Sequence, residues 1–508
     1  MKNKKLSKLY FRAVAALLAP ILIGGCAKTH PSTSGNLSSV QTVSELYTKE
    51  TDTTELNDKD NNTSGDTVVI PTESTPNDTK RTPDQTATEK TEPDETTIEK
   101  TESSTPVTTS EATSAPPPDT DKPADTSESQ DPVPVTPKNG FNGICFAIPG
   151  AQSRGIDVDR LFDLLETMNV GALRNWMHAT EILSSPTEIN EKQYNRQKQW
   201  ISALNKRGIT KIVGMSHYWF WPEGYNCTDH AAVPYWSDNP NSDFRKWLDV
   251  YEQTWYTLAS LFPEIDCWEI GNEFNMNSFL HPRNYYSTNI PFTLEEKAEI
   301  VTEMCYAASK AIHRANPNAT VIFPAMAPEG GFTVMENFLE MVYNNIESGK
   351  YGNGSTDSDD YFDAMAWHCY IFNEPFNIDK WIRYNNAVYA VMQKHGDGDK
   401  KVFLTEYGFS DGGSQKKDAE QAEYLKQIYD ACKNKMTYVD SVYPFRLIED
   451  ETAASWGGTI EIYYGMFRVF GISNFGAKEK AKAVCECYGG NVSKLDRYIG
   501  NYSVYDSN

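Results

Sequence analysis

Two glutamates stand where buried strands end. Residues 267–275 read Cys-Trp-Glu-Ile-Gly-Asn-Glu-Phe-Asn, and residues 402–409 read Val-Phe-Leu-Thr-Glu-Tyr-Gly-Phe. Each segment is an apolar run that delivers one carboxylate, Glu273 or Glu406, at its end. An isolated buried charge is costly unless it is paired, so two such residues point to a site where that cost is repaid as chemistry. Acetal hydrolysis fits: a carboxylic acid protonates the leaving oxygen while a carboxylate on the other side attacks or stabilises the oxocarbenium-like centre. Taken singly, either segment suits a glutamate held in a salt bridge near a helix end equally well. The order of the surrounding elements separates the two readings.

Strand patterns alternate with helical ones from about residue 138 onward, which argues for a parallel α/β sheet. The expected strands are 143–148, 172–177, 211–216, 265–271, 320–325, 362–369, 401–405 and 438–445. Helical patterns are assigned to 158–168, 191–207, 242–261, 294–315, 417–434 and 478–487. Eight units in one chain predict a closed (β/α)8 barrel, the TIM-barrel architecture. No glycine-rich phosphate loop follows the first strand, which counts against a dinucleotide-binding sheet. In such barrels the active site lies at the C-terminal ends of the strands. Arg174 and Asn175, His217, Asn272 and Glu273, His368 and Tyr370, and Glu406 all fall there. Structural polar residues have no reason to gather at strand ends alone, so the set is read as one site.

The motifs Asn272-Glu273, His368-x-Tyr370 and Thr405-Glu406-Tyr407-Gly408 resemble those of the retaining glycoside hydrolases of clan A, over essentially all of 138–508. The pattern is closest to the cellulase-type family 5 and the xylosidase-type family 39. The resemblance implies Glu273 as acid/base, Glu406 as nucleophile and Asn272 as the partner of the sugar's C2 hydroxyl. It also implies that Arg174 and Tyr370 hold Glu406 ionised, and that His217 and His368 line the subsite of the attacked sugar. One departure stands out. Family 5 enzymes usually end strand eight on a tryptophan that serves as a sugar platform, whereas this chain reads Tyr443-Pro444-Phe445-Arg446. Phe445 or Trp456 is then expected to take the platform's place, and the substrate class stays open.

The loop 217–222, His-Tyr-Trp-Phe-Trp-Pro, carries four consecutive aromatics. Trp219 and Trp221 either stack on pyranose faces as subsites or pack the loop onto the barrel rim. His217, Glu223, Asp229 and His230 show no recognised metal-ligand spacing, and no metal or organic cofactor is expected.

The ends of the chain are of a different kind. Lys2, Lys4, Lys5, Lys8 and Arg12 precede an apolar run over 13–23, and Ile23-Gly24-Gly25-Cys26 follows. This reads as a secretory signal too short to span a bilayer, and the small residues before Cys26 resemble a bacterial lipobox. Residues 1–26 are therefore expected to be a lipoprotein signal, with Cys26 the lipidated residue. Residues 27–137 are rich in Thr, Ser, Pro, Asp and Glu and nearly free of aromatics. Such a segment cannot bury enough apolar surface to offset its chain entropy, and its excess of acidic charge favours an extended tether. The expectation is a disordered linker carrying a catalytic domain, 138–508, on the outer side of the membrane as a monomer. The net charge of −23 argues against a nucleic-acid partner and is compatible with a neutral polysaccharide or oligosaccharide. Nine cysteines show no disulfide framework; Cys145, Cys267 and Cys369 sit in strand-like runs as small buried hydrophobes. Two other readings share part of this pattern. A glycan-capture lipoprotein on a degenerate barrel would lack a complete carboxylate pair with its supporting Arg, Asn and Tyr. A solute-binding lipoprotein would need two doubly wound lobes.

Overall fold

The computed structural model describes residues 135–495, apart from 218, 223–228, 230, 373 and 455–457. The expected signal with Cys26, nearly all of the expected linker and Trp456 lie outside the described residues. Eight parallel strands form one sheet: β1 Gly143–Cys145, β2 Ala172–Trp176, β3 Lys211–Met215, β4 Cys267–Glu269, β5 Thr320–Ile322, β6 Ala364–His368, β7 Lys401–Tyr407 and β8 Val439–Pro444. Each pairs with the next in sequence, and parallel bridges Asn142–Val442 and Cys145–Phe445 bring β8 back to β1 and close the ring. The fold is the expected (β/α)8 barrel, a single ring rather than the two lobes of a solute-binding protein.

The strand ends fall one to three residues inside the sequence boundaries, because only the register-paired core of each apolar run is extended. Ile148, expected to end β1, instead opens a short helix, Ile148–Ser153, with Pro149 in its first turn. β7 runs two residues further than expected, to Tyr407, and so carries Glu406 within the strand.

Period-two alternation sorts the side chains. Cys145, Ala172, Val213, Cys267, Ile322, Ala364, Ala366, Phe403 and Tyr443 meet inside the ring as a separate apolar cluster. Their neighbours Ile144, Leu173, Ile212, Trp268, Val321, Met365, Trp367, Val402, Leu404 and Val442 point out to the helices. Small residues dominate the inner layer, leaving room above it for long polar side chains.

The helices are α1 Val158–Thr167, α2 Glu191–Asn205, α3 Asp243–Leu261, α4 Leu294–Ala315, α5 Phe332–Glu347, α6 Ile378–Lys394, α7 Gln415–Asn434 and α8 Glu479–Cys487. α4 matches its expected limits residue for residue. Thr293 and Glu296 form a reciprocal cap at its start, and Asn316-Pro317 stops it. α5 and α6 go beyond the six assigned helices, although α5 buries Phe332, Met335, Phe338, Leu339, Val342 and Ile346 at helical spacing. A hairpin, β9 Phe467–Gly471 and β10 Asn474–Ala477, precedes α8 and was also not assigned. It is fastened by buried ion pairs: Lys478 contacts Asp411 and Glu449, and Lys480 lies 3.0 Å from Asp411. Among the described residues no helix is long and apolar enough to cross a membrane, and the cysteines there are free thiols.

Candidate active site

Arg174 organises the mouth of the barrel. It points inward from β2, fully buried, and donates to the Cys145 sulfur at 3.5 Å and to oxygens of three further residues on opposite sides of the ring. Nε and Nη2 form a fork on Glu269 at 2.6 and 2.9 Å, Nη1 reaches Glu406 Oε1 at 2.6 Å, and Nη2 reaches Asn272 Oδ1 at 2.8 Å. Burial works against the guanidinium charge, but Glu269 leads the neighbours that more than reverse this and hold it well above its ordinary value. Glu269 is the partner that the sequence reading passed over. Its signal was present: two residues after Cys267 in a strand, it must face the lumen with the arginine, where an unpaired carboxylate would be expensive.

The two carboxyls at the mouth live in unequal surroundings. Glu406, 4% exposed, accepts from Arg174 and from the Tyr370 hydroxyl at 2.8 Å. Burial raises its carboxyl above the usual range, while Arg174's charge and the hydrogen bonds from Tyr370 and Arg174 pull it back. Glu273, 2% exposed, has neither donor. Burial and then repulsion from Glu406 push it well above the usual range. Its Oε1 lies 2.6 Å from His368 Nδ1, and its Oε2 is buried with no partner among the described residues. Burial, helped by Arg174's charge, holds His368 well below its ordinary value, so the ring is neutral. One oxygen of each carboxyl and a ring nitrogen of His368 lie within 4.8 Å of one another.

Local backbone aims these groups. β4 ends at Glu269, and Gly271 lets the Phe274 ring fold back against the chain, where a Cβ would collide with it. Glu273 then adopts φ +51°, a left-handed conformation that costs a non-glycine residue about 1 kcal/mol or more. Its N–H donates to Ala325 O at 2.7 Å, and two residues on Asn275 exchanges side-chain hydrogen bonds with both backbone groups of Ala327, at 2.7 and 2.9 Å. Glu273 is thereby stapled to the chain that leaves β5.

Not every residue singled out from the sequence faces this pocket. Asn175 accepts from the Ile148 N–H at 3.3 Å and contacts Gln197, a structural role behind β2. His217 is buried beside His178, ring centroids 4.8 Å apart. Trp219 and Trp221 are buried as well. Trp219 packs edge-on against Trp247, Tyr251 and Phe274 and donates to Ala232 O, while Arg283 lies over the Trp221 ring at 3.9 Å. Of the two roles open to that loop, rim packing is the one these contacts match; Trp219 reaches the site only through Phe274, next to Glu273. Phe445 forms part of an aromatic wall with Tyr370 and Tyr464, centroids 5.7 to 6.4 Å apart.

Glu273, His368 and Glu406 also form a set of atoms close enough to ligate a metal ion. The guanidinium on Glu406 sets a fixed positive charge against any cation there, so the set suits proton transfer better. Asp229 from the other metal reading lies 3.3 Å from His281 Nε2, and Glu223 and His230 are outside the described residues.

A closed parallel barrel with two carboxyls in unequal environments at its mouth is the arrangement of a glycoside-cleaving enzyme. The cellulase model, glycosyl hydrolase family 5, matches residues 136–435, more than half the chain. The chain belongs to glycosyl hydrolase family 5 and is a glycosidase with a carbohydrate substrate. β8 and everything after it lie beyond the matched residues. Among solved structures, a β-glucosidase from Thermotoga maritima superposes with a TM-score of 0.50 at 13% identity, covering 72% of this chain and 99% of that one. A glucosidase from Croceicoccus marinus gives 0.46 at 17% identity, covering 70% and 69%. A family 39 glycoside hydrolase from the gut symbiont Bacteroides cellulosilyticus WH2 gives 0.48 at 17%, with 69% of this chain against 64% of that one. At 13% identity the likeness to the β-glucosidase is one of fold alone. No curated protein matches the sequence.

Proposed function

We propose that this family 5 glycosidase cleaves β-glycosidic bonds in polysaccharides or oligosaccharides with retention, by double displacement, with Glu406 as nucleophile and Glu273 as acid/base. The observation that carries the reading is the pair itself: oxygens of the two carboxyls within 4.8 Å, one held by a guanidinium and a phenol, the other by a neutral imidazole on one oxygen alone. Retaining enzymes keep their carboxyls about 5–5.5 Å apart, whereas inverting enzymes need roughly 6.5–9.5 Å to admit a water.

The division of labour follows from the surroundings. Arg174 and Tyr370 hold Glu406 as an oriented anion against the anomeric carbon. With its ring proton on Nδ1, neutral His368 donates to Glu273 Oε1 and leaves Oε2 to carry the acid proton toward the glycosidic oxygen. Asn272 has its carbonyl oxygen engaged by Arg174, so its NH2 is turned to the sugar's C2 hydroxyl, a contact that strengthens as positive charge develops. Once the glycosyl-enzyme forms, Glu406 is neutralised as an ester and no longer repels charge on Glu273. Glu273 then acts as the base that activates water. The work is done by side chains, without a metal or organic cofactor. The lipobox-like Ile23-Gly24-Gly25-Cys26 and the acidic tether support display of this domain outside the cell on a lipid anchor.

The test separates the two carboxyls on an activated aryl β-glycoside. Glu406→Ala abolishes turnover. Glu273→Ala forms the intermediate in a burst, releases it slowly, and is accelerated by azide to give a β-glycosyl azide. Wild-type activity in Glu406→Ala, or in both variants, would show the assignment to be wrong.

A further inference from the structure

Beside the nucleophile, on the β8 wall, two polar groups of opposite character are left open: the Glu461 carboxyl and the Nε of Arg446. Glu461 lies in a short helix, Thr459–Ile462, is 2% exposed, and its carboxyl makes no hydrogen bond or ion pair with any described residue. Arg446 follows Phe445 at the end of β8. Its Nη1 lies 3.5 Å from Asp450 Oδ2 and its Nη2 donates to the Glu461 carbonyl at 3.1 Å, but its buried Nε donates to nothing described. The two side chains feel each other's charge without coming within ion-pairing distance. Their charges are also felt at the reaction centre. Arg446 acts on Glu406, Glu406 acts on Glu461, and Glu461 acts on Glu273.

Buried polar groups in folded proteins are almost always hydrogen-bonded, and leaving one unsatisfied costs about 1–3 kcal/mol. The bond from Arg446 Nη2 to the Glu461 carbonyl sets an open acceptor and an open donor on neighbouring residues, where a ligand that both donates and accepts would satisfy the two together. Adjacent hydroxyls on a sugar do both. The location selects which ones. Glu273 and Asn272 extend from β4, across the ring from β8, and engage the glycosidic oxygen and the C2 hydroxyl on the reading above. A pyranose held there turns its opposite edge, C3, C4 and the C6 hydroxymethyl, toward the β8 wall. Tyr464, two residues after Ile462, adds an aromatic face packed on Tyr370 and Phe445. Burial first, and Glu406's charge with it, push the Glu461 carboxyl up to about 8 against the opposing pull of Arg446.

We propose that Glu461 and Arg446 form the specificity clamp of the attacked sugar, Glu461 accepting from and Arg446 Nε donating to neighbouring hydroxyls on the ring edge away from the cleaved bond. The clamp rests on the glycosidase site proposed above. It stands where the usual strand-eight tryptophan is replaced by Tyr443-Pro444-Phe445-Arg446, so that recognition of this edge passes from a stacking platform to paired hydrogen bonds.

The experiment compares wild type, Glu461→Ala and Glu461→Gln on the best-cleaved 4-nitrophenyl β-glycoside and its 3-, 4- and 6-deoxy analogues. Wild type should lose roughly 10²-fold or more in kcat/KM on at least one deoxy analogue, because a site built around a hydroxyl strongly rejects a sugar that lacks it. Glu461→Ala should lose a similar factor on the parent glycoside but little further on that same analogue, while Glu461→Gln, which keeps an acceptor oxygen, falls between. The melting temperature should not drop, since an unsatisfied buried carboxyl has been removed. A uniform loss across parent and analogues, no loss at all, or a loss tracking a lowered melting temperature would overturn the proposal. The pattern across analogues does not depend on whether Glu406 forms a covalent bond, so failure here is distinguishable from failure of the double-displacement reading, which the azide product reports.

Discussion

At the scale of single residues, the unequal treatment of two carboxyls is what turns a pair of buried charges into a site. Glu406 carries a cationic donor and a phenol, so it is the group favoured as an anion; Glu273 has only the neutral His368 ring beside one oxygen, so burial and its neighbour's charge favour its protonated form. The pH dependence follows with a definite sign. Activity is lost on the acid side when Glu406 is protonated and on the alkaline side when Glu273 is deprotonated, and the raised position of Glu273 moves the alkaline limb above that of an ordinary carboxyl. Tyr370→Phe removes a donor that stabilises the Glu406 anion. The acid limb of kcat/KM should move to higher pH while the alkaline limb stays, and the optimum rate should fall about tenfold or more, the worth of a hydrogen bond to a charged group. A pH–rate profile of the variant checks this; an acid limb that moved to lower pH would contradict the role given to Tyr370. The pair of buried carboxyls was legible in the sequence because a glutamate ending an apolar strand is anomalous. Glu269 was equally anomalous but sat inside the strand, where it reads as part of the run until Arg174 is known to face it.

At the scale of elements, strands carry the reacting groups and loops aim them. The chain leaving β4 is held to the exit of β5 by Asn275, and Lys297 of α4 donates to Asn275 O at 2.9 Å and Asn277 Oδ1 at 2.6 Å. The left-handed backbone of Glu273 persists because both flanks are fixed. Asn275→Ala leaves the N–H and C=O of Ala327 without their partner. It should cost about 1–3 kcal/mol of stability in urea unfolding. It should also lower kcat more than it raises KM, because Glu273 loses its aim while the far edge of the sugar site is untouched. A stability loss with unchanged kcat would mean that the staple does not position Glu273. Elements with long amphipathic patterns, such as α3, α4 and α7, were readable to within a residue or two. The hairpin after β8 was not, since it is fixed by Lys478 and Lys480 reaching Asp411 and Glu449, residues remote in sequence. The aromatic loop 217–222 was ambiguous for a related reason: composition suits both sugar stacking and packing, and only the contacts of Trp219 with Trp247, Tyr251 and Phe274 distinguish them.

At the scale of the whole molecule, the eight-unit repeat made the barrel legible, because no open sheet accounts for eight alternating strands and helices with polar residues gathered at one set of ends. The proposed clamp was less legible, since Glu461 and Arg446 are joined only by the bond from Arg446 Nη2 to the Glu461 carbonyl. The N-terminal segments are read from composition alone and yield a separate expectation. Cys26→Ser should move the protein from the membrane fraction to the soluble fraction while the activity of the barrel is unchanged; full membrane retention would contradict a lipid anchor at Cys26. The central claim, a covalent step on Glu406, is tested most directly by incubating the enzyme with a 2-deoxy-2-fluoro β-glycoside bearing an activated leaving group and mapping the trapped sugar by peptide mass spectrometry. The account predicts one glycosyl adduct per protein, on the peptide containing Glu406 and absent in Glu406→Ala. An adduct on a different residue, or hydrolysis of β-glycosides to the α-anomer with no adduct at all, would contradict it.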